Sequence, residues 1–109
     1  MFGPVLARLK CFPMPTLAVI NGHAYAGGLI FACAHDSRIM RGDKAKMCLS
    51  EAAMGGAMSN SFTRIILSVM SNQMYTSMQY GRVVKAREAY EEGVVDNLFI
   101  KPEDATKLI

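Results

Sequence analysis

Two parts of the sequence combine residue types that do chemistry. In Ile20-Asn21-Gly22-His23-Ala24-Tyr25-Ala26-Gly27-Gly28, paired glycines stand immediately before a run of helical character. Glycine there permits positive φ and carries no Cβ to block a ligand's approach. The N–H groups of a helix's first turn lack intrahelical acceptors, and together with the helix dipole they favour negative charge. Such a site holds a phosphate or the oxygen of an enolate. The same glycines also serve plain packing at a strand–helix junction. The second part is Glu51, at the end of the strand-like run Lys46-Met47-Cys48-Leu49-Ser50. A carboxylate there is either a general base or a solvated group just past a strand end.

The remaining polar candidates carry less. His23 and His35 lack the Cys/His/Asp spacing of a metal or nucleophile site. His23 reads as a residue that fixes the loop, and His35 as the end of a buried helix, where a cation suits the dipole. Cys11, Cys33 and Cys48 form no CxxC pair and are odd in number, which indicates reduced, buried thiols instead of a disulfide or zinc framework. Ser50 and Ser59 have no His–Asp partners that the sequence places.

The elements that must position these residues read as an alternation of strands and helices, the α/β class. Phe2, Val5, Leu6 and Leu9 have helical spacing, with Pro4 in the first turn, and Pro13 and Pro15 stop that helix. Leu17-Ala18-Val19-Ile20 is a short buried strand bounded by proline and Asn-Gly. From Gly27 to His35 the residues Leu29, Ile30, Ala32, Cys33 and Ala34 leave almost no polar face, which predicts a buried helix. Arg38-Ile39-Met40 reads as a strand, Gly42-Asp43 as a turn, and Lys46 to Leu49 as an alternating strand. The stretch 52–60 reads as a loop. Helices are expected over 61–69, 73–80 and 85–92, the last ended by Gly93. Val94 to Phe99 reads as a closing strand, and Pro102-Glu103-Asp104 as a helix start. No internal repeat is visible.

Composition sets the bounds. A chain of 109 residues forms one small domain, expected over 1–109. It is 51% hydrophobic and 19% charged, which places it in the globular class. The net charge is +3, and Lys and Arg are scattered without interleaved aromatics, so no nucleic-acid partner is expected. No apolar run is long enough for a membrane span, no secretory signal is visible, and Lys107-Leu108-Ile109 is not a Ser-Lys-Leu tail. The nine methionines suit an adaptable core or an apolar acyl pocket.

The string Pro15-Thr16-Leu17-Ala18-Val19-Ile20 running on to Gly28, followed by Asp36-Ser37-Arg38-Ile39-Met40, resembles the central signature of the crotonase (enoyl-CoA hydratase/isomerase) superfamily. Gly81-Arg82, Ala86-Arg87-Glu88-Ala89 and Gly93-Val94-Val95-Asp96 are similar to that family's later G-x-x-x-x-A-x-E-A-x-x-x-G-l-V-D segment. The motifs stand in the family's order and cover roughly residues 4–100. The resemblance implies a partial crotonase-like ββα spiral core of short strands alternating with helices.

It also implies site residues. Gly27 takes the position that supplies one oxyanion-hole N–H. Hydratases carry a catalytic glutamate three residues later, where this sequence has Ile30, and a second that matches Glu51. Ala26, Gly28, Ile30, Met54 and Gly55 fall on substrate-binding positions, although the loop Met54-Gly55-Gly56-Ala57-Met58 also reads as a simple connector. Adding water across a double bond uses two acid/base groups, whereas moving a double bond from C3 to C2 needs one base. A single glutamate against the apolar wall of Leu29, Ile30 and Met54, which would raise its pKa, suits an enoyl-CoA Δ-isomerase. His23-Ala24 and the Ala-Gly-Gly variant are similar to isomerases of plants and protists.

The implied substrate is an acyl-CoA thioester in fatty-acid β-oxidation, with coenzyme A part of the substrate and no further cofactor. The implied setting is intracellular, peroxisomal or mitochondrial, as a homo-oligomer or a chain completed by another. The family's N-terminal strands, which supply the other oxyanion N–H and much of the CoA surface, and its C-terminal helices have no match here. The alternative is therefore a catalytically inactive crotonase-like fragment, or a structural subunit of a larger assembly.

Overall fold

Proline at 13 and 15 delivers the chain, extended, into a short strand, and the parallel pairing of that strand organises the fold. The computed structural model describes residues 2–25, 27–49 and 60–108. Helix α1 (Phe2–Lys10) leads to β1 (Leu17–Ile20), then β2 (Ala24–Tyr25), α2 (Gly27–Cys33), β3 (Ser37–Arg41) and β4 (Lys46–Cys48). Helices α3 (Asn60–Leu67) and α4 (Asn72–Gln79) precede β5 (Val84–Lys85), α5 (Ala86–Glu91), β6 (Asn97–Phe99) and α6 (Pro102–Leu108).

Two three-stranded sheets result. The first is parallel throughout, in the order β1-β3-β6, with Leu17 opposite Ser37 and Ile39 opposite Asn97. The second has the order β2-β4-β5, with β2 and β4 parallel and β4 and β5 antiparallel. The chain visits the first sheet, then the second, then a helix (β1, β2, α2), and begins again with β3 and β4. This is the ββα spiral expected from the resemblance. The repeat escapes the sequence because β2 is two residues long, too short to show a period of two.

The core lies on the buried side of α2. Leu29, Ile30, Ala32 and Cys33 join Met40, Met47, Leu49, Ile66 and Met78 in one cluster. Met40, Met47, Met70, Met74 and Met78 are all buried, so these methionines are core residues, filling gaps between short elements with flexible side chains. Ser71 caps α4 by accepting the Met74 N–H at 3.1 Å. Gly93 ends α5 with φ +80 and an N–H bond to Tyr90 O, a left-handed conformation that glycine adopts without a Cβ penalty.

Several expectations change. α2 is not buried all round, because Phe31 is 42% exposed and faces away from the core. Val5 on α1 is likewise half exposed, while Leu6 carries the burial of that helix. Lys46 to Leu49 does not alternate: Met47, Cys48 and Leu49 are buried in succession, because this strand is covered on both faces. The closing strand is only Asn97–Phe99. Val94 and Val95 are buried in the preceding bend, where both N–H groups donate to Ala89 O. Cys33 and Cys48 are buried, but Cys11 is exposed just beyond α1. The expected loop over 52–60 lies outside the described residues, save that Asn60 begins α3.

Candidate active site

The glycine-rich segment is held from below by its histidine. His23 Nδ1 accepts the Lys46 backbone N–H at 3.1 Å, so that nitrogen is unprotonated in this bond. Its ring stacks on Tyr25, with centroids 5.2 Å apart and planes 3° from parallel. Together these contacts tie the start of β2 to the start of β4 and fix the path into α2. His23 is thus a loop-fixing residue.

Gly27 and Gly28 form the first turn of α2, where no intrahelical carbonyl reaches their N–H groups. Their φ values are not positive; among the described residues that conformation belongs to Gly81 and Gly93. The use of glycine here is therefore the bare surface, not backbone freedom. Among the described residues, a Cβ built on either Gly27 or Gly28 meets no heavy atom within 4 Å. Gly28 opens onto a cleft of about 280 Å³ between β1 and α2, whose walls include Val19, Ile20, Gly22, His23, Phe31 and His35.

The other expected site residues divide. Ile30 is 4% exposed and packs in the core; it is not among the residues lining this cleft. Ala26, Glu51, Met54 and Gly55 lie outside the described residues, as do Ser50 and Ser59. Leu29, expected beside the glutamate, is fully buried in the same core as Ile30. Strand β4 ends at Cys48, three residues before Glu51, and pairs with β2 so that Cys48 lies opposite Tyr25, two residues before Gly27. Sequence reasoning missed Phe31 and His35 as cleft residues. Their signal was their separation of four, the spacing of neighbours on a helix, kept although α2 ends at Cys33; His35 Nδ1 lies 2.9 Å from Phe31 O, and the rings meet edge to face.

The polar positions Asp36, Arg38 and Glu88 of the motifs turn out to be fasteners. Asp36 Oδ2 accepts the Thr16 N–H at 2.8 Å, and the Asp36 N–H donates back to Thr16 Oγ1 at 3.1 Å. Arg38 is buried and donates from Nε to Val94 O at 2.8 Å and from one terminal nitrogen to His35 O at 2.7 Å. Glu88 accepts from Arg82 at 2.6 Å and from the Lys85 N–H at 3.3 Å, and the Arg82 guanidinium holds its carboxyl below the usual range. Burial pushes the Cys33 thiol up to about 12, against the pull of Arg38 and Lys10. Among the described residues no group of three His, Cys, Asp or Glu side chains is placed to hold a metal ion, and no helix is long and apolar enough to cross a membrane.

Comparison with known proteins places this geometry. The family model for enoyl-CoA hydratase/isomerase matches residues 2–106. The chain belongs to the enoyl-CoA hydratase/isomerase family. Within that family it is 37% identical over 98 residues to enoyl-CoA delta isomerase 3 of Arabidopsis thaliana, covering 88% of this chain and 41% of that protein. It is 34% identical over 105 residues to the peroxisomal enoyl-CoA delta isomerase 2 of the same plant, covering 94% and 44%. Among solved structures, Pseudomonas aeruginosa DspI superposes with a TM-score of 0.87 at 30% identity, over 98% of this chain and 41% of that one. An enoyl-CoA hydratase from Thermoplasma volcanium shares the fold, with a TM-score of 0.86 at 22% identity over 98% and 43%. This family member spans about two fifths of the length of these relatives, and the curated proteins it resembles include hydratases as well as isomerases.

Proposed function

We propose that this chain carries the oxyanion-binding and base segments of an enoyl-CoA Δ-isomerase, which shifts a 3-enoyl-CoA double bond to the 2-position. The observation that carries the reading is the surface over Gly27 and Gly28, left open by the described residues, at the head of a helix and beside a cleft. A thioester oxygen at this turn would accept the Gly27 N–H. Glu51 would take a proton from C2 of the substrate, leaving a dienolate whose negative oxygen that N–H stabilises. Returning the same proton to C4 moves the double bond and restores the carboxylate. The reaction needs no water and no second carboxylate, in keeping with Ile30 at the hydratase position. The parallel run of β2 and β4, which leave the sheet at the same end toward Gly27 and Glu51, supports a shared site. Ala26, Gly28, Met54 and Gly55 would border the acyl group.

The substrate would then be an acyl-CoA thioester of fatty-acid β-oxidation, with no cofactor beyond the coenzyme A it carries. The peroxisomal isomerase among the relatives supports a peroxisomal setting. A second reading, an inactive or structural subunit, is favoured by β1: it is the edge of its sheet among the described residues, with Val19 46% exposed. An open strand edge invites another segment or chain. The test is turnover of a 3-enoyl-CoA by the purified protein and by Glu51→Gln. Activity lost in the variant supports the isomerase. A folded protein inactive in both forms supports the structural subunit, and a size measurement in solution then shows whether β1 is covered by a partner.

A further inference from the structure

Strands β4 and β5 set Lys46 directly opposite Lys85. Like charges at opposed positions of an antiparallel pair repel. No ion pair among the described residues joins either lysine to an acid, for the pairs there are Arg41–Asp43, Arg82–Glu88 and Asp104–Lys107; Glu88, which feels the Lys85 charge, is itself held by Arg82. Lys85 is also the N-cap of α5. That position favours Ser, Thr, Asp or Asn, and a cation there meets the positive end of the helix dipole. Arg87 follows in the same turn. The pairing preference is set aside here and the cap residue is a cation, although Glu88 in the same turn accepts the Lys85 N–H at 3.3 Å and suits the dipole.

These cations share a hollow. A cavity of about 290 Å³ is lined by Lys44, Lys46, Lys85, Arg87 and Asp43. The rest of its lining, Gly42, Ala45 and Ala86, is small and leaves room between the charges. Asp43 is already engaged: Arg41 donates to its two oxygens at 2.8 and 3.5 Å, which holds the carboxyl below the usual carboxylate range. Four cations therefore surround a space whose acid is taken by another arginine. Lys46 opens β4 beside His23, before β2, whereas Gly27 follows the far end of β2. The hollow thus lies at the opposite end of these strands from the glycine turn, and its reading does not rest on the isomerase proposal.

We propose that this hollow binds the diphosphate group of a soluble anionic ligand, with Lys46 and Lys85 converging from opposed strands and Arg87 supplying a planar fork of donors. Point charges from lysine and a bidentate arginine are the combination that recognises phosphate oxygens. Calorimetric titration of the whole chain with pyrophosphate tests it. Lys85→Ser replaces a poor N-cap with a favoured one, so it folds at least as well as the parent; Lys46→Gln removes the opposed charge. Saturable one-to-one binding, weakened at least tenfold in each variant and unchanged in the exposed control Lys101→Gln, is the expected result. A pyrophosphate-dependent rise in melting temperature in the parent, absent in Lys85→Ser, accompanies it. No saturable binding, or the same loss in Lys101→Gln, overturns the proposal.

Discussion

The buried guanidinium of Arg38 donates its Nε–H to the backbone carbonyl of Val94 at 2.8 Å. The two residues are 56 positions apart in the chain, and the bond joins β3 to the bend before β6. The same guanidinium reaches the His35 carbonyl at 2.7 Å and lies 3.5 Å from the carbonyls of Ala32 and Cys33. A cation at the C-terminal end of α2 also complements the helix dipole. On the backbone, Arg38 N–H donates to Asp96 Oδ2 and Asp96 N–H returns to Arg38 O. One residue thus anchors the helix whose other end carries Gly27 and Gly28.

Arg38→Met keeps the bulk and removes the donors. It leaves the buried Val94 carbonyl and the part-buried His35 carbonyl without this donor, and hydrogen bonds to charged groups contribute roughly 1.5–3 kcal/mol each. The expected loss is about 3 kcal/mol, read as a lower urea midpoint at unchanged slope. Arg38→Lys should lose nearly as much, because an ammonium cannot span Val94 and His35 as the planar fork does. A midpoint unmoved in Arg38→Met would show that the carbonyls find other partners.

Glu88 gives a pH-dependent difference whose sign is fixed. Its folded pKa is depressed, first by the Arg82 hydrogen bond and then by the Lys85 N–H. Its contribution to stability is therefore present above the ordinary glutamate value of 4.5, and disappears as pH falls through the lowered folded value. Both partners are about two-fifths exposed, at 42% and 40%, so solvent screens the pair and Glu88→Gln should cost less than about 1 kcal/mol at neutral pH. Unfolding curves of parent and variant should converge in acid and in high salt. A gap that widens on acidification contradicts the assignment.

What could be read in advance, and what could not, follows from length scale. β1 and the apolar faces of α2 and α4 declare themselves within a few consecutive residues, by apolar runs and helical spacing. β2 and β5 do not, since two residues carry no periodicity, and both exist only because β4 pairs with them. Arg38 reads in sequence as the polar start of a strand. Its partners, Val94 and His35, come from separate parts of the chain, so nothing local betrays its burial. Of the two properties the sequence offers for Gly27 and Gly28, positive φ and a missing Cβ, the structure leaves only the second, since neither has a positive φ.

Cys33 and Cys11 should separate cleanly in thiol labelling. Burial, the dominant cause, pushes the Cys33 thiol to about 12, and the residue has no exposed surface, whereas Cys11 is exposed. Thiolate is the reactive form, so an alkylating reagent at pH 8 should modify Cys11 in the native protein and Cys33 only after denaturation. The sign for stability follows. The unfolded thiol ionises near 9 while the folded one stays neutral to about 12, so stability falls as pH rises above 9. Mass-spectrometric mapping that finds Cys33 labelled as fast as Cys11 contradicts this packing.

Gly28→Ala sets stability against function. Alanine in a helix is favoured over glycine by roughly 0.5–1 kcal/mol, and the added Cβ at residue 28 has no heavy atom of the described residues within 4 Å. The variant should therefore melt at or above the parent. The same methyl group occupies the cleft into which the proposed thioester must fit, so acyl-CoA affinity should drop at least tenfold. Gly81→Ala is the matching control: its Cβ also meets open space, but its φ is +101, and alanine there is strained and destabilising by about 1 kcal/mol. If Gly28 were only a packing glycine, alanine would raise stability and leave acyl-CoA binding intact. A stabilised Gly28→Ala that no longer binds acyl-CoA, beside a destabilised Gly81→Ala that still does when folded, separates a surface kept bare for a ligand from a backbone turn.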